Sequence, residues 1–182
     1  MQKKEGKSTG WISYTWAKTN RHFSGINEGK TYPFKYDRRH DVSVVFNYKL
    51  TKRTDFSATW NYGSGYAYTL AIGKYELPDN IDNSWGDPNE ILIYDGRNNE
   101  RMRDYHRLDI GFNFHKIKKN RERIWNVSIF NVYNRQNPYF YYYDIIYDKD
   151  SNGNPIEGTE RDGIKQFSLF PIMPSISYSW KF

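Results

Sequence analysis

The stretch Ile172-Met-Pro-Ser-Ile-Ser-Tyr-Ser-Trp-Lys-Phe182 decides the fold of this chain. Its even positions hold apolar or aromatic residues, and its odd positions hold mostly small polar ones. Because alternate side chains of a strand point to opposite faces, the stretch predicts a strand with one apolar and one polar face. Eleven residues is about the length of one tilted transmembrane β-strand. The last strand of a soluble sandwich alternates in the same way, so both alternatives stay open at this point.

The composition combines a high aromatic content with a low mean hydropathy. Aromatic residues make up 19% of the 182 residues, while the mean hydropathy is −0.93. The aromatic content excludes general disorder, and a barrel reconciles both values because half of every strand and all of every loop are polar. Residues 1–10 lack the apolar core of a secretion signal, so an outer-membrane assignment requires the chain to be a fragment. Cysteine is absent, which excludes disulfides and cysteine-ligated metal sites.

The net charge of +6 is gathered in short clusters. A nucleic-acid-binding protein collects such charge on one face with interleaved aromatic residues. Here the clusters fall between alternating segments, as turns do, so nucleic acid is not an expected partner. We expect these basic turns to lie at the periplasmic interface; their cations are Lys49, Lys52, Arg53, Lys116, Lys118, Lys119 and Arg121.

Alternating segments predict an antiparallel meander of about six long strands. These strands are expected at about 8–18, 36–49, 54–66, 104–115, 122–133 and 164–182. The connections between them alternate in length, with long ones at 19–35, 67–103 and 134–166 and short ones at 50–53 and 116–121. Outer-membrane barrels have short periplasmic turns and long outer loops. The pattern therefore predicts an all-β fold that is part of a transmembrane barrel.

The strand parity also predicts which side chains face the lumen of such a barrel. The apolar set of each strand should face lipid, and the opposite set should form a polar wall. The expected polar-wall residues are Asp41, Asn47, Asn61, Arg107, Asp109, Asn113 and Asn126.

Five stretches carry a resemblance to a known family. They are Tyr36-Asp-Arg-Arg-His-Asp41, Trp60-Asn-Tyr-Gly-Ser-Gly65, Arg101-Met-Arg-Asp-Tyr-His-Arg-Leu-Asp109, Asn131-Val-Tyr-Asn-Arg-Gln-Asn-Pro138 and Phe170-Pro-Ile-Met-Pro-Ser-Ile-Ser-Tyr178. Together they resemble the C-terminal part of TonB-dependent outer-membrane receptors of the Bacteroidetes type. The resemblance spans most of the chain and does not extend to a particular ligand.

The resemblance implies a barrel of about 22 strands with an N-terminal plug, located in the cell outer membrane. Residues 1–182 would be the C-terminal segment of that barrel, without the plug, the TonB box and the signal peptide. The whole receptor would capture a ligand at the cell surface and import it with energy supplied by TonB, which contacts the missing N-terminal part. Other implied partners are outer-membrane lipid and the barrel-assembly machinery, whose expected recognition signal is Ile176, Tyr178, Trp180 and Phe182.

Aromatic residues in the long connections are the candidates for ligand contact. They are Trp85, Tyr139, Tyr141 and Tyr143. Aromatic side chains stack on sugars and other planar groups, but a run of tyrosines also forms the interfacial girdle of a barrel. A small molecule, a peptide and a glycan all remain open as the ligand.

No set of residues suggests an enzyme. The four histidines are scattered, and a strand places His106 and Asp109 on opposite faces, so they cannot form a dyad there. Asp148-Lys-Asp-Ser-Asn-Gly153 matches the start of a calcium loop, but Thr159 stands where a bidentate Glu is expected. A hairpin turn at Asn152-Gly153 is the alternative. No cofactor and no metal are expected.

Two other architectures compete with the fragment of a large barrel. One is a soluble β-sandwich that binds carbohydrate through surface aromatic residues, and the other is a complete barrel of eight strands. A barrel has one outward apolar band, whereas a sandwich has two inward apolar faces. The position of the apolar face therefore discriminates between membrane and soluble folds.

Overall fold

The computed structural model describes residues 1–76, 90–118 and 121–181. Within these ranges the chain is all β apart from one 3₁₀ turn at Asn27–Gly29, and no helix there is long and apolar enough to cross a membrane. The strands are β1 (Gln2–Lys3), β2 (Ser8–Trp16), β3 (Asn20–Arg21), β4 (Tyr32–Pro33), β5 (His40–Thr51), β6 (Thr54–Gly63), β7 (Ala67–Tyr68), β8 (Gly73–Glu76), β9 (Glu90–Ile93), β10 (Glu100–Arg101), β11 (Tyr105–Lys118), β12 (Arg121–Phe130), β13 (Pro138–Ile146), β14 (Arg161–Ser168) and β15 (Met173–Lys181).

The largest sheet has seven strands in the order β1-β2-β5-β6-β11-β12-β15. Spatial order follows chain order within this sheet, so an antiparallel sheet that contains six long strands is confirmed, with β15 covering only part of the strand predicted at 164–182. The short strand β1 adds a seventh member by pairing Gln2 with Trp11 and Lys3 with Gly10. Among the described residues β1 and β15 are the two edges of this sheet, which is open. Four further two-stranded pairs lie in the connections.

The register of the last three sheet strands defines two chemically different faces. Phe112, Val127 and Ile176 lie side by side across β11, β12 and β15. One step along the strands, Asn113, Asn126 and Ser177 lie side by side and point to the opposite face. We call these the apolar face and the polar face of the sheet.

Aromatic contacts extend the apolar face across the earlier strands. The ring centroid of Phe56 on β6 lies 5.1 Å from that of Phe112 and 6.5 Å from that of Phe46 on β5. Cross-strand aromatic pairs of this kind stabilise neighbouring strands. The apolar face is therefore continuous from β5 to β15.

Few side chains of the described residues are buried. Tyr32 and Ala67 are the only buried apolar residues there, and neither lies in the seven-stranded sheet. Large apolar side chains of the sheet are instead exposed, including Trp16 at 61% and Ile176 at 69%. The sheet therefore has no apolar core of its own.

The predicted strand at 164–182 is wrong as a single element. Arg161–Ser168 pairs with Pro138–Ile146, whereas Met173–Lys181 pairs with β12. Phe170 between them has a φ of 58°, which a continuous strand cannot contain. Pro171 follows and lacks an amide hydrogen for the ladder. The segment therefore belongs to two different sheets.

Several strand bounds also differ from the predicted ones. The strand expected at 36–49 begins at His40 and continues to Thr51, because residues 35–36 form a turn. The strand expected at 104–115 continues to Lys118 and pairs with Arg121. The predicted basic turn at 116–121 is thus mostly strand, and Lys119 lies outside the described residues.

The chain divides into two compact units. The first comprises Met1–Ser13, Ser43–Tyr62 and Tyr105–Phe182, and the second comprises Tyr14–Val42 and Gly63–Asp104. The second unit contains two of the three long connections. They contact each other there, since the Asn98 side chain donates to the Pro33 carbonyl at 2.8 Å and the Arg97 amide donates to Asn27 at 2.7 Å. Both long connections therefore belong to one compact body.

Candidate functional site

The polar face joins several of the predicted wall residues by direct contacts. Asn126 donates to Asn113 at 2.8 Å, and Ser43 donates to Asn61 at 2.9 Å. Their strands place these side chains opposite each other because alternation puts every second residue on the same face. The remaining predicted members are also located: Arg107 pairs with Asp109 at 2.9 Å, Asp41 pairs with Arg38 at 3.0 Å, and Asn47 is exposed on β5.

A charged cluster around His115 crosses the same face and was not expected from the sequence. Its Nε2 lies 2.8 Å from Asp55 on β6, and its Nδ1 lies 3.0 Å from Glu122 on β12. Glu122 in turn lies 3.7 Å from Lys181 on β15. Since carboxylates accept hydrogen bonds and do not donate them, this geometry suits an imidazolium that donates from both nitrogens. The cluster ties four strands together.

The turn after β12 is organised by Asn131, which is completely buried. Its amide donates to Asp109 at 2.9 Å, and its side chain donates to the carbonyls of Arg135 and Phe170 at 3.0 and 3.1 Å. The φ of Asn131 is 54°, a left-handed conformation that asparagine tolerates well. Through its backbone amide and its side chain together, Asn131 thus links β11, the turn and the segment that leads into β15.

Two further asparagines of this turn form similar links. Asn137 accepts from the His106 amide at 3.0 Å and donates to the His106 carbonyl at 3.0 Å. Asn134 accepts from the amide of Ile172 at 2.9 Å. The stretch from Asn131 to Pro138 is therefore a turn held in place by hydrogen bonds of its asparagine side chains, and we call it the asparagine turn.

The asparagine turn borders a cavity of about 290 Å³. The guanidinium of Arg107 lies 3.9 Å from the centroid of the Phe130 ring, and Arg107 donates to the Tyr105 hydroxyl at 3.0 Å. Phe130 breaks the apolar alternation of its strand, and this cation–π contact shows how it is accommodated on the polar face. Aromatic walls with one guanidinium can hold a planar or glycosidic group. The remaining walls are Asn137, Pro138, Tyr139, Leu169 and Phe170.

The predicted ligand-contacting tyrosines are divided between two faces of the β13–β14 hairpin. A register shift between Pro138 and Phe140 turns Tyr139 toward Phe140 and Phe167, with ring centroids 5.7 and 6.5 Å away. Tyr141 instead donates to Gln166, its partner in the register, at 3.3 Å. Tyr143 lies on the same face as Tyr141, and Trp85 lies outside the described residues. The structure thus brings Tyr139 to the cavity and separates it from the other two.

A stacked pair on this hairpin was missed by the sequence analysis. Phe140 and Phe167 lie directly opposite each other, with centroids 5.0 Å apart and planes 20° apart. Both are more than two-fifths exposed. Exposed stacked rings beside a cavity are a typical surface for carbohydrate or aromatic ligands. The bulge that creates this surface has no local signature in the sequence.

The segment that matches a calcium loop folds as a turn. The Asp150 carboxylate accepts from the amides of Asn152 and Asn154 at 2.9 and 2.8 Å. Asp148 pairs with Arg161 at 3.0 Å. These hydrogen bonds hold the pKa of Asp150 below its ordinary value, with the Asn154 amide as the largest cause. Within the described ranges no three acidic or histidine side chains are grouped to hold a metal.

Among the described residues of the second unit, Asp37 is the most enclosed acidic group. Its side chain is fully buried and accepts from the Thr19 amide and from the guanidinium groups of Arg39 and Arg101. Burial alone raises the pKa of Asp37, but these donors outweigh burial and hold the pKa below the ordinary value. Asp37 therefore connects the segments at residues 19, 39 and 101.

The expected assembly signal lies on the apolar face of β15. Ile176, Tyr178 and Trp180 are exposed at 69%, 45% and 45%. Tyr178 packs against Trp125 of β12 with ring centroids 4.8 Å apart. Phe182 lies outside the described residues. The alternation predicted for Ile172–Phe182 is confirmed over Met173–Lys181 by the register of this strand with β12.

The geometry therefore shows a sheet with an exposed apolar face, a hydrogen-bonded polar face and an aromatic cavity. Comparison with models of known families, with curated proteins and with solved structures gave no match to this chain.

Proposed function

We propose that this chain forms part of the wall of a transmembrane β-barrel in an outer membrane. Within that wall it belongs to the C-terminal region of a TonB-dependent receptor. The whole receptor captures a ligand at the cell surface and imports it with energy from TonB. The barrel is supported by the distribution of exposed apolar side chains, and the receptor type is supported by the sequence motifs that carry the resemblance.

One observation on β12 carries the barrel proposal. Along this strand Arg121, Arg123, Trp125 and Val127 are exposed, whereas Glu122, Asn126 and Ser128 are half-buried. Along β12 the polar-face positions, including Ile124, are thus the more enclosed ones and the apolar-face positions other than Ile129 are the more exposed ones, whereas β15 is exposed on both faces. Soluble domains have the reverse order, because burial of apolar surface drives their folding.

The exposed apolar face is energetically unfavourable in water. Removing a side chain of the size of valine, isoleucine or phenylalanine from water contributes about 1.5–3 kcal/mol. The face leaves Trp125 exposed at 52% and Val127 at 40%, in addition to the side chains of β15. Lipid supplies the apolar surroundings that the protein itself does not supply.

The polar face fits the interior of such a barrel. Its asparagine pairs and the His115 cluster satisfy polar groups by direct hydrogen bonds between strands. Barrel interiors are polar, filled with water or occupied by a plug. The contact between two long connections in the second unit also agrees with outer loops that emerge at the same end of a barrel.

The soluble β-sandwich needs a second layer over the apolar face. A sandwich buries its inward residues between two sheets about 10 Å apart. Among the described residues no apolar side chain of the seven-stranded sheet is buried. The sandwich alternative therefore requires the burial of this face by something beyond those residues.

The cavity and the aromatic hairpin are the proposed ligand-contacting surface of this segment. Arg107 presents hydrogen-bond donors, while Tyr139, Phe140 and Phe167 present rings. This combination suits a glycan, a peptide or another small molecule with polar and planar groups. Contact with TonB and with a plug is assigned to parts of the receptor outside this chain.

The decisive experiment is fractionation of cells that make the full-length protein containing this chain. We expect it in the outer-membrane fraction, resistant to extraction by carbonate and faster-migrating on gels before heating than after it. Recovery in the soluble periplasm would overturn the proposal. A soluble periplasmic protein of known location serves as the fractionation control.

A further inference from the structure

Four cations occupy one end of the apolar face. Lys116 of β11 lies directly opposite Arg123 of β12, and Lys118 lies directly opposite Arg121. All four are exposed, and alternation puts them on the same face as Phe112 and Val127. We call this group the basic edge.

The basic edge has no acidic partner among the described residues. The salt bridges found there do not include any of its four cations. The neighbouring acid, Glu122, points to the polar face and is engaged by His115 and Lys181. Like charges directly opposite each other destabilise paired strands. Anions from outside the protein would relieve the repulsion within two such neighbouring pairs.

The surroundings of the basic edge indicate where those anions come from. The Arg123 guanidinium lies 5.2 Å from the Trp180 ring, and Trp125 and Tyr178 are the next pair along the strands. Val127 and Ile176 follow them. Along this face, charged side chains are thus followed by aromatic side chains and then by aliphatic side chains. A bilayer leaflet has the same sequence of layers, from phosphate through the interface to acyl chains.

We propose that the basic edge binds the phosphodiesters of anionic phospholipids. Each lipid places its phosphate among the cations while its acyl chains cover the apolar band beyond Trp125. The assignment rests on the proposed barrel, since the apolar band must face lipid for the chains to lie on it. Lipid phosphate is favoured over free phosphate because only a lipid occupies the charged and the apolar parts together.

The test uses the full-length protein in nanodiscs of neutral phosphatidylcholine, with or without phosphatidylglycerol. The variant Lys116→Gln/Arg123→Gln removes one directly opposed pair. The control variant Lys18→Gln/Lys149→Gln removes the same charge from two exposed positions elsewhere. Thermal midpoints and native mass spectrometry of retained lipids are measured for all three proteins.

We expect the Lys116→Gln/Arg123→Gln variant to have a higher thermal midpoint than the wild type in one lipid and a lower one in the other. In phosphatidylcholine the basic-edge variant should unfold at a higher temperature than the wild type, because a repulsive pair is gone. In phosphatidylglycerol it should unfold at a lower temperature and bind that lipid about fivefold more weakly for each cation removed. The control variant should follow the wild type in both lipids.

Each other outcome has a defined meaning. Equal retention of phosphatidylglycerol by the wild type and the basic-edge variant would overturn the lipid site while leaving the barrel intact. Failure of the wild type to enter any nanodisc would count against the barrel itself. If inorganic phosphate in phosphatidylcholine discs reproduces the stabilisation, the site takes free phosphate and the lipid assignment is wrong.

Discussion

The backbone amide of Asn131 donates a 2.9 Å hydrogen bond to Asp109, whose carboxylate also pairs with Arg107. This bond fixes the asparagine turn to β11, and the Asn131 side chain fixes it to the segment before β15. The cavity beside Arg107 therefore depends on a residue that does not line it.

Replacing Asn131 by alanine should destabilise the protein by about 2–4 kcal/mol, because buried carbonyl groups lose their donor. Asn152→Ala is the matched control, since Asn152 is exposed and contributes only its backbone amide. Denaturant titration of the two variants and the wild type measures the difference. Equal stability of the two variants would contradict the role assigned to the asparagine turn.

Asp37→Asn should loosen the second unit and remove part of its pH dependence. The lowered pKa of Asp37 means that its stabilisation is fully present above the ordinary value of about 3.9 and is lost as the pH falls through the lower folded value. Protection of the amides in residues 14–42, which compares hydrogen exchange with its intrinsic rate at each pH, should therefore fall at acidic pH in the wild type, so that exchange becomes fast relative to that rate. In Asp37→Asn it should be fast already at neutral pH, whereas the exposed control Glu157→Gln should behave as the wild type. A pH profile shared by all three proteins would exclude this explanation.

Arginine at Val127 should lower barrel stability more than arginine at Asn113. A cation on the lipid face costs about 2–4 kcal/mol at the membrane midplane, whereas a lumenal position stays solvated. Val127 and Asn113 lie one register step apart on opposite faces, so they form a matched pair. Unfolding in phosphatidylcholine vesicles gives the two values. Equal tolerance at both positions would contradict the assignment of the faces.

A cysteine placed at Lys118 should not react with a membrane-impermeant reagent applied to intact cells. The short connection after β11 is expected on the periplasmic side, opposite the long connections. A cysteine at Asn152, in the turn of the β13–β14 connection, is the control and should react. Strong labelling at position 118 with none at position 152 would invert the topology.

Local alternation predicted the sheet strands well. The two-residue period of Met173–Lys181 assigned Ile176 and Tyr178 to one face, and the register with β12 confirms it. The same period could not reveal that residues 161–168 pair with another strand. The alternation of side chains along a strand is the same whichever strand it pairs with. The interruption between residues 168 and 173 depends on the backbone conformation of Phe170, which alternation does not reveal.

The hydrogen-bonded contacts of Asp37, Asn131 and His115 could not be predicted from the sequence for a related reason. Asp37 meets Arg101, and Asn131 meets the Phe170 carbonyl, across long separations in the chain. An aspartate or asparagine in a loop usually caps its own turn, so nothing local distinguishes these two. His115 and its acids also come together only after three strands are in register.

The order of the strands in the sheet has a consequence for folding speed. Because each strand of the seven-stranded sheet pairs with the next member of that sheet along the chain, the sheet grows by adding neighbours. The β13–β14 hairpin can close independently before β15 docks on β12. Most contacts of the chain nevertheless join residues far apart in the sequence, as in other all-β folds, and this slows assembly, although the added entropy of a longer loop rises only slowly with its length. The slowest closures should be the two across the longest connections, which join β6 to β11 across residues 64–104 and β12 to β15 across residues 131–172.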